Sequence, residues 1–181
     1  MTTLALDGFK SQFKFGGARA NQFEVQLVAP SGVSFDGSTF SFYVKAASLP
    51  GHTVEEVAIN YRGRILYIDG DRTFDTWSTT VMNDTDFGVR NALEDWMNYI
   101  NNVNTNVSAS GGTATEISSM MSDLRVIQFG RNAEGEVLKE YALKSCWPTS
   151  VGPIELSWDT RNEVETFEVT WRYMEFEAIG A

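Results

Sequence analysis

The chain has 181 residues, 43% hydrophobic and 13% aromatic, enough apolar material for one good-sized core and a single domain over 1–181. Its formal net charge of −10 argues against a surface that grips nucleic acid phosphates, which needs clustered Lys and Arg. One cysteine, Cys146, excludes an internal disulfide; the opening MTTLALDGFKSQFKFGG lacks the apolar core of a signal peptide, and no apolar run is long enough to span a bilayer, so synthesis in a reducing cytoplasm without membrane insertion is expected.

Taken as a whole, residues 1–20 show no sustained period, and Gly16 and Gly17 beside Phe9, Phe13 and Phe15 suggest an arm. Three exposed phenylalanines are a liability in a monomer, so Phe9, Phe13 and Phe15 are candidates for burial against a neighbour; the other reading folds the arm back onto its own domain. Residues 21–28 alternate Phe23, Val25 and Leu27 with Gln22, Glu24 and Gln26, a strand with one wet side. Residues 30–38 are turn-rich, and 39–46 read as a second strand with Phe40, Phe42 and Val44 together, broken by Leu49, Pro50 and Gly51. Residues 53–64 are extended in character but poorly patterned and end in an Arg62-Gly63-Arg64 turn, which makes them a candidate for contacts outside the domain. Residues 65–68 then lead into the next strand.

The most strongly patterned stretch is 70–102. Residues 73–82 hold five Thr or Ser residues plus Trp77 and Val81 and read as a half-buried strand, with Trp77, Thr79 and Val81 on one face. Past Asn83 the period changes: Val89, Leu93, Trp96, Met97 and Ile100 form one helical stripe, which predicts a single flanking helix over 84–101. Asp84, Thr85 and Asp86 supply a capping side chain and negative charge at its start, and Arg90 can pair with Glu94 for a few tenths of a kcal/mol. Such a helix must lie on a sheet made by the rest of the chain.

Residues 101–115 are nearly all Asn, Ser, Thr, Gly and Ala, the composition of an exposed loop. Segments 124–129 and 136–147 flank turn-forming residues 131–135 and predict a hairpin, whose second arm Pro148 and Gly152 end. Ile154, Leu156 and Trp158 alternate against Glu155, Ser157 and Asp159. After a turn at 160–162, the last strand runs 164–176 with Phe167, Val169, Trp171 and Tyr173 facing one way and Thr166, Glu168, Thr170 and Arg172 the other. The sheet is therefore expected to be antiparallel, with one buried and one solvated face.

The inventory offers little to an enzyme. His52, the sole histidine, reads as a solvated loop residue without a second ligand for a metal. Asp69, Asp71 and Asp75 fail as a calcium loop, since Phe74 stands where Gly is needed and Thr80 where Glu is needed. No phosphate-cradling loop or nucleophile elbow occurs, so no catalytic residue, cofactor or metal is expected. The five tryptophans are spread as core packing would spread them; the alternative, a soluble carbohydrate-binding module using the Asn/Ser loop, requires a stable monomer.

Two stretches are specific. The run GDRTFDTWSTTVMND at 70–84, continuing to Arg90 and Trp96, and the run WPTSVGPIELSWDTRNEVETFEVT after Cys146 closely resemble the tail tube protein of contractile-tailed, T-even-like bacteriophages. Weaker matches are Ala18, Arg19, Asn21, Phe23 and Val25, and FSFYVKAASLPG at 40–51; segments 31–39, 101–115 and 176–181 depart from the pattern. The resemblance implies a mainly β, antiparallel sandwich or barrel-like subunit with one flanking helix. It also implies hexameric rings stacked into the inner tube of a virion tail, with a tape-measure protein, a sheath and baseplate or tail terminator proteins as partners and DNA passing without specific binding. A related implication is the tube of a contractile injection particle that translocates protein. By this resemblance the ring-stacking candidates are Thr53, Val54, Glu55, Glu56, Val57, Ile59 and Tyr61, with the N-terminal arm assisting. From strand alternation and the acidic balance, Thr166, Glu168 and Thr170, or Thr76, Ser78 and Thr80, are candidates to line an acidic lumen.

Overall fold

The computed structural model describes residues 17–30, 32–33, 37–108, 118–131 and 136–180, apart from the side chains at 38 and 39. Phe9, Phe13 and Phe15, the turn residues 132–135 and loop residues 109–115 lie outside them. In chain order the elements are β1 Phe23–Leu27, α1 Gly37–Tyr43, β2 Val44–Ala47, β3 His52–Tyr61, β4 Arg64–Phe74, β5 Trp77–Met82, α2 Gly88–Ile100, β6 Ser122–Phe129, β7 Val137–Val151, β8 Thr166–Arg172 and β9 Glu175–Ile179. Seven strands form one antiparallel sheet in the order β1-β6-β7-β8-β5-β2 with β9 also on β7, while β3 and β4 form a separate ribbon.

The long strand β7 divides the sheet into two layers. Its first part pairs with β6 and β9, and Trp147–Val151 pairs with β8. At the hand-over Ser145 takes φ 54°, and its N–H donates to Asp123 Oδ1 at 3.0 Å. A strand that changes sheets at a local bend is how a sandwich makes its corner. One layer is thus β1, β6, early β7 and β9; the other is late β7, β8, β5 and β2.

Between the layers lies the core, with Trp77, Trp96, Trp171, Phe40, Leu93, Leu124 and Leu143 all fully buried. The stripe on α2 packs here as its spacing predicts, Val89, Leu93 and Trp96 being buried, and the Trp96 and Trp171 rings lie 5.7 Å apart. Asp84 Oδ1 accepts the Gly88 N–H at 2.9 Å, so it does satisfy an amide at the start of α2, which begins four residues later than expected. Arg90 Nε meets Glu94 at 2.8 Å, and its second arm donates to Gly152 O at 2.8 Å.

Several expectations are corrected. The predicted strand at 39–46 begins as helix α1: Phe40 is buried while Phe42 is 82% exposed, so the two do not share a face. Apolar residues at 40, 42 and 44 fit a strand, but those at 40 and 44 also fit one helical face, and the core takes Phe40. The described chain therefore has two helices, not one. The predicted strand at 73–82 is split at 75–76 between β4 and β5. Pro148 does not end β7, which continues to Val151; β6 stops opposite Cys146, leaving an edge where a missing N–H is tolerated. The last strand is two: Lys144 pairs Glu175 and Trp147 pairs Arg172 in the same alignment, and Met174 N–H donates to Lys144 O at 3.1 Å across the break. Residues 152–165 form no strand despite their alternation, and Trp158 is 102% exposed, so it is not core packing. His52 starts β3 and packs its ring 5.5 Å from Phe176, so it is not a loop residue.

Candidate assembly surfaces

The β3–β4 ribbon stands apart from the sandwich. Its turn, Arg62 at φ 47° and Gly63 at φ 82°, is the two-residue type whose twist matches a hairpin. Val57, Ile59 and Tyr61 share a face with Ile68, Leu66 and Arg64, and Ala58 and Asn60 share the other with Tyr67 and Ile65. Both faces are therefore apolar, and both are exposed. Glu56 sits opposite Asp69, a like-charge pair that disfavours the isolated ribbon. The register slips between Val54 and Glu56, and there a Cβ on Gly70 would lie 2.8 Å from Glu55 O, which is why a residue without one stands at this bulge. Aromatic contacts hold the root: Phe74 lies 5.9 Å from Tyr173 and 5.6 Å from Phe176. Thr53, Val54, Glu55, Glu56, Val57, Ile59 and Tyr61 all lie on β3 and are exposed. Their partners on β4, Ile65, Leu66, Tyr67 and Ile68, were missed; the Arg-Gly turn followed by four apolar residues was the available signal.

A second surface is the outer face of β5 and β8. Ser78 pairs with Thr170, Thr80 with Glu168 and Met82 with Thr166, while Trp77, Thr79, Val81, Phe167, Val169 and Trp171 are buried on the opposite face. Two groups of residues singled out separately thus form one hydroxyl-rich patch, with Glu168 near its middle. Thr76 precedes it in the exposed link before β5. Among the described residues, the β2-β5-β8-late β7 layer has two open edges, the far side of β2 and β7 from Trp147 onward. A third surface is the 152–165 loop, which presents Leu156 at 79% exposure and the bare Trp158 indole.

The titratable groups in the interior are structural. Burial pushes the Cys146 thiol up to about 12, which leaves it a small apolar side chain. Burial also raises Tyr173, whose hydroxyl donates to Gly51 O at 3.2 Å beneath the ribbon. Among the described residues no three His, Cys, Asp or Glu side chains are grouped to hold a metal.

A sandwich whose described residues leave sheet edges open, and whose separate ribbon exposes Val54, Val57, Ile59, Tyr61 and Ile65–Ile68, has the surfaces of a building block for an assembly. The chain belongs to the phage tail tube protein family, whose pattern residues 18–178 match. It is 37% identical to the tail tube protein gp19 of Enterobacteria phage T4 over 153 residues, 84% of this chain and 86% of that one. It is 26% identical to the tail tube protein of Serratia phage KSP90 over 176 residues, 95% of this chain and 94% of that one. Its fold is similar to a chain in the PVC sheath-tube complex of an extracellular contractile injection system, with TM-score 0.60, 15% identity and coverage of 94% and 97%. A chain in the anti-feeding prophage baseplate matches with TM-score 0.62, 11% identity and coverage of 91% and 96%. The protein is a structural subunit of a phage-type tail tube and a part of the virion tail.

Proposed function

We propose that copies of this chain close into hexameric rings whose bore is lined by the outer face of β5 and β8, and that the rings stack through the β3–β4 ribbon into the inner tube of a contractile tail. The observation that carries this reading is the four-stranded layer with a polar outer face and an open edge on each side. A small closed barrel fills with its own side chains, so a channel needs strands from several copies in one closed, head-to-tail ring. Six arcs of four strands make about 24 strands; at about 4.8 Å each they give a circumference of about 115 Å and a bore of over 30 Å before side chains, wider than a DNA duplex.

The lumen proposed here is lined mostly by hydroxyls. Glu168 repeated around each ring supplies the negative wall that keeps phosphates from sticking, with Arg172 at the end of the same strand. DNA as cargo is favoured over protein because the phage relative is 37% identical, whereas the injection-system neighbour at 15% speaks for the fold alone. A tape-measure protein inside, a sheath outside and baseplate and terminator proteins at the ends are the partners of such a tube. Replacing 54–72 by a short turn should leave rings and abolish tubes in negative stain, and Glu168→Lys should keep tubes yet slow DNA ejection. Normal tubes without the ribbon, or normal ejection with Lys at 168, would remove those residues from their roles.

A further inference from the structure

The β3–β4 ribbon carries its charges at its two ends. Arg62 and Arg64 stand at the tip, and no acidic residue occurs between 57 and 68. Glu55, Glu56, Asp69 and Asp71 stand at the root, against the single guanidinium of Arg72. All of these residues are exposed. The ion pairs among the described residues are Arg90–Glu94, Arg125–Glu140 and Lys144–Glu177, so none joins charges of the ribbon; the Arg62 guanidinium lies instead 5.3 Å from the Tyr61 ring centroid. Arg64 and Asp69 are five residues apart on β4, about 17 Å at the rise of a strand. That is about twice the screening length at physiological salt, so the two ends do not neutralise each other.

The two ends also present opposite faces. Arg64 pairs with Tyr61 and shares its face with Leu66 and Ile68, whereas Glu56 pairs with Asp69 and shares the other face with Ala58 and Tyr67. Within one ribbon the basic and acidic groups therefore cannot meet. Glu56 and Asp69, directly opposed, repel each other until a cation lies over both. A basic face at one end and an acidic face at the other are complementary between copies. Such a contact is heterologous: each junction leaves a free tip on one side and a free root on the other, so it repeats without closing.

We propose that Arg62 and Arg64 at the tip of each ribbon seat on the Glu56–Asp69 pair at the root of a ribbon in the next ring, a step that rests on the stacked-ring reading above. The guanidiniums supply the countercharge that the opposed carboxylates lack, through forked donors suited to carboxylate oxygens. One exposed ion pair contributes little, but six copies of the contact engage together at each ring junction, so their effects multiply. The contact also sets direction. Tip against tip or root against root would bring like charges together, so every ring of a tube faces the same way.

Charge reversal on the full chain, read as tube length in negative stain, tests the inference. A tip variant, Arg62→Glu with Arg64→Glu, and a root variant, Glu56→Arg with Asp69→Arg, should each give rings whose tubes are shorter than native by about tenfold or more, because six contacts are reversed at every junction. Mixing rings of the two variants should restore long tubes, since the acidic tip of one then meets the basic root of the other. A merely structural role of these residues within their own ribbon would not be rescued by mixing. Tubes of native length from either variant alone, or a mixture no better than its components, would overturn the proposal. Native mass spectrometry of the same samples counts copies per ring: six-membered rings with tubes indifferent to the reversals would sink this contact and leave the ring standing, whereas a native chain that forms no rings would sink both.

Discussion

The hydrogen bond from Trp171 Nε1–H to Thr79 Oγ1, 3.0 Å long, joins two side chains deep in the core, with Thr79 1% exposed and Trp171 0%. Thr79→Val keeps the volume and shape of the side chain but removes the acceptor, leaving the indole N–H buried and unpaired. That orphan should cost about 1–3 kcal/mol, and for a domain of this size lower the melting temperature by roughly 2–12 °C. Trp171→Phe has two effects: it opens a cavity beside Phe40 and Trp96, whose rings lie 6.0 and 5.7 Å away, and it strands the Thr79 hydroxyl. Combining the two substitutions removes both partners at once, so the double variant should be more stable than the sum of the single losses by about 1 kcal/mol or more. Urea unfolding of the dilute monomer, followed by fluorescence, measures all four corners of the cycle. A Thr79→Val chain as stable as the native one, or strictly additive losses, would refute this reasoning.

Gly70→Ala should disturb the bulge in the ribbon, because the new Cβ meets Glu55 O at 2.8 Å; tubes should shorten or fail in negative stain while the melting temperature of the sandwich holds. The Cys146 thiol should resist alkylation at pH 8 in the native chain and react at the rate of unfolding, as mass spectrometry would show. Its folded value of about 12 lies above the ordinary 9.0, so the unfolded chain loses this proton first: the stability contribution is full below pH 9 and is lost as pH rises toward 12, visible as falling urea midpoints that Cys146→Ala should flatten. Arg90→Lys cannot hold Glu94 and Gly152 O together while lying over the Phe167 ring, so it should cost about 1–3 kcal/mol and speed proteolysis within 152–165.

Where sequence reading succeeded, a single packing demand set the pattern. The faces of β5 and β8 and the stripe on α2 follow from periods of two and 3.6 that one core imposes, and Trp77, Val81, Leu93, Trp96, Val169 and Trp171 lie where those periods put them. It went astray where apolar residues serve another purpose. Phe42 carries a strand-like spacing but lies on a short helix facing a groove, and Leu156 and Trp158 alternate as a strand would while lying on an exposed loop. In the ribbon the alternation vanishes because both faces are apolar, which left β3 poorly patterned and β4 unrecognised as its partner. At each of those departures the apolar side chain is exposed instead of packed in the core of this domain, so the core's periodicity does not govern it. The break at Tyr173 and Met174 has no sequence signal, since the pairing to β7 runs straight across it.

The central claim is that the β2-β5-β8-β7 layer is an arc of a larger wall. Cryo-electron microscopy of the purified chain at high concentration tests it most directly. The account predicts closed six-membered rings, alone or stacked, with Ser78, Thr80, Thr166, Glu168 and Thr170 facing the bore; particles that stay monomeric, or rings that turn this face outward, would contradict it.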